Sequence, residues 1–382
     1  MRRASMILVV VCLLCAFAGS AFSDGTLLRL GPEELVGAGG LDIVVPGYSV
    51  PSFVDWDNDG LQDLIVGEGS GTYTAKVRVY LNVGTPDEPQ FLDYFYVQSN
   101  GSDLMCPGSG CMGCFPRVVY WDADDRKDLL VGQSTGNIRL FLNTGTDEAP
   151  TFDGGTLLQV GPVGAKTNIY VGSRPTPTVV DWNSDGKGDL VAGAIDGLVH
   201  MYINEGTETE PDFVSETLAL TGSGNLDIGS RSSPEILDLD CDGNKDIVAG
   251  ETYGRLLFYH NLGTDEEPIF GTYEAVESDG AAIDLEGTPR SRPFVCYWTD
   301  DAYPDVLIGA GDGKIHLYQG TVIPGDLNGD AVVDLLDFAE FAGMWHQVDC
   351  GECSGADLVD DEVVDMHDLA VLASNWLATP CP

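Results

Sequence analysis

The sequence predicts a mainly β chain: a five-bladed β-propeller closed by the N-terminal strand, followed by a small α-helical module. Three observations predict this. One segment, ending in an acidic loop and an apolar run, recurs five times between Pro51 and Gly309. Strand-like stretches of alternating character separate the copies. Beyond Gly325 the composition changes, and a longer acidic loop running into a helical pattern occurs twice.

The first 23 residues pair a basic start with a short apolar run and small residues at Ala21 and Ser23. This predicts a secretory signal peptide cut after Ser23. Leu13 and Leu14 stand before Cys15 where a lipoprotein signal needs small residues. No later run is long and apolar enough for a membrane span. The expected divisions are 1–23 signal peptide, 24–322 propeller and 323–382 C-terminal module, in an exported protein that is secreted or held at a cell surface.

The repeats start at five prolines. P-S-F-V-D-W-D-N-D-G-L-Q-D-L-I-V-G from Pro51 matches P-R-V-V-Y-W-D-A-D-D-R-K-D-L-L-V-G from Pro116 and P-T-V-V-D-W-N-S-D-G-K-G-D-L-V-A-G from Pro177. P-E-I-L-D-L-D-C-D-G-N-K-D-I-V-A-G from Pro234 and the weaker P-F-V-C-Y-W-T-D-D-A-Y-P-D-V-L-I-G from Pro293 complete the set. The last aspartates, Asp63, Asp128, Asp189, Asp246 and Asp305, recur every 57 to 65 residues. Self-similarity at such a period signals a repeat architecture.

Each copy reads as four strands. The first, such as Thr178 to Asp181, ends in the acidic loop, and the second is the D-L-V-A-G run. The third alternates, as in V-R-V-Y-L-N and I-R-L-F-L-N, with the β-branched and aromatic content of a strand. A hairpin N-x-G-T-x-x-x-P-x-F then leads to a fourth, such as T-L-L-Q-V. Four-stranded repeats are what propeller blades look like. The fifth copy stops after I-H-L-Y-Q-G. T-L-L-R-L-G-P at Thr26 to Pro32 matches T-L-L-Q-V-G-P at Thr156 to Pro162, so the N-terminus is expected to supply the missing strand in that register. Ring closure removes exposed sheet edges.

Clustered aspartates repel one another unless something neutralises them. Alternating carboxylates plus a backbone carbonyl in a tight loop offer the oxygen ligands a hard cation takes. The pattern D-x-D-x-D-G-x-x-D resembles the calcium loops of FG-GAP/VCBS repeats, the integrin-type propeller family, over residues 26 to 320. The resemblance implies calcium as cofactor. It implies ligands Asp55, Asp57, Asp59 and Asp63 in the first loop, Asp181, Asn183, Asp185 and Asp189 in the third, and Asp238, Asp240, Asp242 and Asp246 in the fourth. The backbone carbonyls of Leu61, Lys187 and Asn244 would add to these. The second loop has Tyr120 for the first aspartate and keeps Asp122, Asp124 and Asp128. The fifth has Tyr297 and Thr299 for the first two acids. Three good sites, a degraded one and an empty one are expected, structural rather than catalytic.

In the C-terminal module, G-D-L-N-G-D-A-V-V-D-L-L-D-F-A-E-F-A-G-M-W is followed by A-D-L-V-D-D-E-V-V-D-M-H-D-L-A-V-L-A-S-N-W-L. Both resemble a dockerin, whose paired loops are similar to EF-hand calcium loops. The resemblance implies ligands Asp326, Asn328, Asp330, Val332 (by its carbonyl), Asp334 and Asp337 in the first copy. In the second it implies Asp357, Asp361, Val363 (by its carbonyl), Asp365 and Asp368. There Val359 and Glu362 depart from the pattern. It also implies a cohesin-bearing partner, with Leu335, Leu336, Met366 and His367 at recognition positions; the leucines read equally well as core.

The formal net charge of −43 argues against binding nucleic acid or an anionic membrane, which need basic patches. Beyond the signal stand Cys106, Cys111, Cys114, Cys241, Cys296, Cys350, Cys353 and Cys381. An even number in an exported chain favours disulfides over a zinc site at Cys106, Cys111 and Cys114. No catalytic motif is present. His200 and His316 share a strand position with Arg78 and Arg139, read as surface or channel. Tyr48, Arg174, Arg231 and Arg290 occupy aligned positions entering the blades, with Gly113 in the second. With Glu68, Gln133 and Glu251 they form a candidate ligand ring at one mouth, or inter-blade salt bridges. A non-catalytic, polysaccharide-associated binding or display module is the expected function. A carbohydrate-active enzyme, glycoside hydrolase or lyase, is the alternative.

Overall fold

The computed structural model describes residues 28–69, 74–107, 113–240, 242–285, 287, 289–330, 332–348 and 353–376. The expected signal peptide, Cys111, Cys241, Cys350 and Cys381 lie outside these. Two compact units divide the chain, Leu30–Gly320 and a second comprising Met1–Arg29 with Thr321–Pro382.

The first unit is a five-bladed propeller of antiparallel sheets. Blade 1 orders Ser49–Val54, Asp63–Glu68, Val77–Tyr80 and Phe95–Tyr96. Blade 2 orders Cys114–Val119, Asp128–Gln133, Ile138–Phe141 and Thr156–Leu157. Blade 3 orders Thr176–Val180, Asp189–Gly193, Val199–Tyr202 and Thr217–Leu218. Blade 4 orders Ser233–Leu237, Asp246–Gly250, Leu256–Tyr259 and Glu274–Ala275. Blade 5 orders Arg292–Cys296, Asp305–Gly309 and Ile315–Gly320, and takes its fourth strand, Leu30–Leu35, from the N-terminus. The five first strands stand side by side around an axis.

The closing strand differs from the expected register. His316 pairs with Leu35 and Leu317 with Glu34, as Arg139 pairs with Leu157 and Leu140 with Thr156. The residues equivalent to Thr156 to Leu158 are therefore Glu34 to Val36, eight positions after the T-L-L match. Side-chain chemistry fixes this register. Glu33 Oε1 lies 2.6 Å from His316 Nδ1, as Glu216 Oε1 does from His200 Nδ1. The fourth strands also break once, at buried Val97, Leu158, Ala219, Val276 and Val36. Each of these five donates its N–H back to the start of the third strand. The apolar side chain turns into the inter-blade core at the break, and the chain beyond it pairs outward as a short hairpin.

Two sequence signatures hold blade to blade. The glycine ending each second strand lies under the next blade's first strand. A Cβ at Gly309 would meet Pro51 Cδ at 2.6 Å and Ser49 O closer still. The loop tryptophans meet the hairpin phenylalanines of the next blade: Trp56 with Phe152, Trp121 with Phe213, Trp182 with Phe270 and Trp298 with Phe91, at centroid separations of 5.8 to 6.1 Å. Blade 4 carries Leu239 at this position, facing the one blade without that hairpin. The hairpins themselves turn on an asparagine: Asn82 Oδ1 accepts from Gly84 N and Gln90 N at 2.9 and 3.0 Å. Asn143, Asn204 and Asn261 repeat this.

His200, His316 and Arg78 are not at the surface or in the channel. They are buried on third strands and paired with Glu216, Glu33 and Glu68. Cys106 and Cys114 form a disulfide, which overturns the zinc reading. Cys296 is free and buried, so the even count does not mean complete pairing. Among the described residues, no helix is long and apolar enough to cross a membrane.

The second unit contains two short helices, α1 (Leu335–Met344) and α2 (Met366–Ser374). Asp334 and Asp365 cap them, each in a capping box with the aspartate three residues on. Val333, Phe341, Ala356, Val364 and Leu372 are buried.

Candidate functional site

Each acidic loop follows the end of an inner strand and returns into the second strand of its own blade. Its last aspartate is buried and acts as a backbone acceptor. Asp63 Oδ2 accepts from Trp56 N and Oδ1 from Asn82 N, both at 2.7 Å. This ties the loop to the end of the third strand. Asp128, Asp189, Asp246 and Asp305 bond likewise, to Trp121 and Asn143, Trp182 and Asn204, Leu239 and Asn261, Trp298 and Gly320. Burial pushes Asp63, Asp128, Asp246 and Asp305 each up to about 6 and raises Asp189.

Carboxylate oxygens of Asp55, Asp57 and Asp63 lie within 4.8 Å of one another, as do those of Asp122, Asp124 and Asp128, and of Asp238, Asp240 and Asp242. Oδ1 of Asp55, of Asp57 and of Asp122 is buried without a hydrogen-bond donor. Orphaned acceptors are costly and converging carboxylates repel, so these residues fit a hard cation with oxygen ligands. Burial, then Asp59 and Asp55, raise Asp57. Asp59, Asp185 and Asp242 accept from the backbone N–H of Leu61, Lys187 and Asn244, which curls each loop around its acids.

The second, third and fourth loops each differ from the first in a specific way. Arg126 clasps Asp124 in the second. In the third, Asp181 accepts from Asp185 N and Gly186 N, Asn183 from Asp185 N, and Lys187 Nζ pairs with Asp185 at 2.9 Å. In the fourth, His260 Nε2 stands 2.8 Å from Asp240 Oδ2 and joins Asp240 and Asp246 in a second group. Sequence reasoning missed His260; its signal was a lone histidine where the other third strands end in Leu81, Leu142, Ile203 and Gln319. In the C-terminal unit Asp326, Asp330 and Asp337 converge. Asp337 accepts from Leu327, Asn328 and Asp334 N, and Asp368 from Leu358, Val359 and Asp365 N. Asp330 and Asp361 accept from Val332 N and Val363 N, and Asp357 from Asp361 N and Glu362 N. Glu362, in the usual glycine place, has φ 63°. Leu335, Leu336, Met366 and His367 are exposed, so the leucines are not core.

The inner strands begin at the opposite end from the acidic loops, and alternate residues there form layers about the axis. Tyr48, Gly113, Arg174, Arg231 and Arg290 hold the outermost aligned positions. The three arginines have left-handed backbone, φ 65°, 65° and 84°, uncommon for residues with a side chain. Val50, Phe115, Thr176, Ser233 and Arg292 line the axis next, with the prolines that follow them. Arg292 is 3% exposed. Its guanidinium lies 4.2 Å from the Tyr48 ring centre and 5.3 Å from that of Phe115, and Nη1 donates to Arg290 O at 3.0 Å. Burial pushes Arg292 down to about 10; Tyr48 opposes this, while Arg290, Arg174 and Arg231 add to it. Arg174 Nε and Nη1 are buried without an acceptor. Arg231 donates to Thr252 Oγ1 at 3.1 Å. One layer further in, Arg117 of blade 2 and Glu235 of blade 4 join across the axis, and Arg117 stands 4.7 Å from the Phe294 ring centre.

Glu68 and Glu251 do not bridge blades to the ring. Glu68 pairs with Arg78 at 2.6 Å and Glu251 with Arg255 at 3.1 Å, each within its own blade. Gln133 is buried at the place equivalent to Glu68. The aligned ring was legible in the sequence. Arg292, Arg117 and Glu235 were not, because each stands where the other repeats carry different residues.

The family model of the FG-GAP-like repeat matches residues 181–249, from the third acidic loop into the fourth blade's second strand. Integrin alpha-6 of Gallus gallus is 26% identical over 160 residues, covering 37% of this chain and 14% of that protein. The chain therefore aligns with only a small part of that relative. Solved structures similar in fold include the catalytic domain of Coprinopsis cinerea GH62 α-L-arabinofuranosidase, with TM-score 0.47, 13% identity and coverage of 77% of this chain and 97% of that one. A GH43 β-1,3-galactosidase gives TM-score 0.45, 10% identity and coverage of 75% and 93%.

Proposed function

We propose that the chain is a secreted, calcium-stabilised, non-catalytic binding and display module. Its propeller holds a polar ligand at the arginine-lined mouth. Its C-terminal unit, similar to a dockerin, attaches it to a cohesin-bearing protein on a scaffold or cell surface, in the service of polysaccharide binding or degradation. The observation that carries the docking is the exposure of Leu335, Leu336 and Met366 at the starts of α1 and α2, over a core made by other residues. Leu335 and Leu336 are consecutive, and adjoining exposed apolar side chains are what an interaction site presents. The orphaned oxygens of Asp55, Asp57 and Asp122 support calcium, which would supply charge neutralisation to loops that otherwise repel themselves.

A glycoside hydrolase would need two carboxylates flanking a sugar bond. Glu68 and Glu251 are held by Arg78 and Arg255, and Glu235 by Arg117. That favours binding over hydrolysis. The test passes the full chain over immobilised cohesin domains in calcium and in chelator. Retention in calcium, lost in chelator and in Leu336→Asp with Met366→Asp, is the expected result. No retention in calcium sinks the docking, and sugar release from a polysaccharide panel sinks the non-catalytic reading.

A further inference from the structure

Four of the chain's 18 lysines and arginines gather at one end of the propeller axis, in a chain of net charge −43. Burying a charge is costly unless it is paired. Arg292 is 3% exposed, yet no carboxylate of the described residues pairs with it; one carbonyl and the faces of Tyr48 and Phe115 are its partners. Cation–π contact offsets part of the cost. Arg174 presents buried Nε and Nη1 with no acceptor. Below them the Arg117–Glu235 pair spans the axis, so whatever meets these guanidiniums arrives from the open end.

We propose that this mouth binds the oxyanion group, carboxylate or sulfate, of an acidic saccharide. Arg174, Arg231 and Arg290 grip it above Arg292, and its sugar rings lie on Tyr170 and Tyr253. Guanidinium forks match planar oxyanions and give charge-assisted bonds. Tyr170 and Tyr253 are 63% and 71% exposed. Both stand on connections at the mouth end of the blades: Tyr170 four residues before Arg174, Tyr253 beside the Thr252 that accepts from Arg231. Such rings offer an apolar face with a polar edge, suited to a sugar ring. The acidic surface elsewhere repels an anionic chain, so binding concentrates where the arginines are.

This inference rests on the propeller being a ligand-binding module and not on its docking. Titration calorimetry on the full chain in calcium tests it, with five probes: oligogalacturonate, a sulfated oligosaccharide, a neutral oligosaccharide of equal length, oligoglutamate and inorganic sulfate. At least one acidic saccharide should bind about tenfold or more tighter than the neutral one, and more weakly as salt rises. Which one binds identifies the oxyanion. Arg174→Gln, with a melting temperature unchanged or higher, and separately Tyr253→Ala, with it unchanged, should each weaken it about tenfold. Arg292→Met should abolish binding while raising the melting temperature of the ligand-free chain, because it removes a buried unpaired charge. Equal affinity for oligoglutamate or inorganic sulfate overturns the saccharide assignment. An unchanged affinity in Arg174→Gln overturns the arginine site. A neutral saccharide that binds best overturns the inference but leaves the binding module standing, whereas sugar hydrolysis overturns the module itself.

Discussion

Asp305 sits in the loop that has lost its first two acids, at Tyr297 and Thr299, and it still accepts three backbone N–H groups: Trp298 at 2.5 Å, Thr299 at 3.3 Å and Gly320 at 2.6 Å. Asp305→Asn would keep one acceptor oxygen and turn an NH2 group against a backbone donor. A loss of about 2 kcal/mol is expected by denaturant unfolding; a change below about 0.5 kcal/mol would refute the role. The same residue sets a pH trend. Burial raises its carboxyl from 3.8 to about 6 in the folded chain, so its contribution to stability is complete below 3.8 and is lost as pH rises through about 6. Asp63, Asp128 and Asp246 shift the same way. In chelator, the denaturation midpoint should therefore rise as pH falls from about 7 to about 5. A flat or falling midpoint over that range removes the argument. The sequence showed these aspartates as part of a metal pattern. Their second role stayed hidden because Asn82 N, the donor that matters, lies 19 residues from Asp63 and meets it only across the sheet.

At the scale of elements, the glycine that ends D-L-x-x-G was readable as a repeat feature but its reason was not. It permits close approach between blades, which becomes visible only once the ring is built. At Gly309 the neighbour is Ser49 and Pro51 of blade 1, so this glycine sits at the seam that closes the ring. Gly309→Ala should cost about 1–3 kcal/mol by overpacking, checked by thermal melts beside a Gly60→Ala control, where nothing stands within 4 Å of the new Cβ and only the backbone at φ +92° is strained. A smaller loss at Gly309 than at Gly60 would count against the close-approach explanation. The closing strand shows the complementary limit. T-L-L-R-L-G-P resembled a fourth strand by letter, yet E-E-L-V at Glu33 to Val36 takes the place of E-T-L-A at Glu216 to Ala219. A carboxylate matched to a histidine, and one buried apolar residue at the break, outweigh composition similarity.

Across the whole molecule, the acidic loops are joined to the blades beside them. Lys127, itself buried, bonds Asp147 Oδ2 at 2.7 Å and the side chain of Asn58 in the first loop. Lys245 bonds Ser184 of the third loop at 3.2 Å and also Asp265. A cation that orders one loop therefore also orders a seam between blades. The period of the repeat made five blades and their loops legible, whereas Arg292 and the Arg117–Glu235 pair became neighbours only through closure, across 118 residues in the latter case. Calcium should act on this unit as a ligand of the folded state alone. At one hundred times its dissociation constant, a single site adds about 2.7 kcal/mol, worth roughly 4–5 °C in a unit the size of Leu30–Gly320. Chelation should lower the melting temperature by at least that much. Asp57→Asn should shrink the calcium increment while leaving the melt in chelator unchanged or higher, since it removes one member of a repelling cluster. Magnesium should substitute poorly, because it demands tighter octahedral geometry than these loops supply. Superimposable melts in calcium and chelator would mean that the loops hold their shape by the backbone bonds to Asp63 and its equivalents alone.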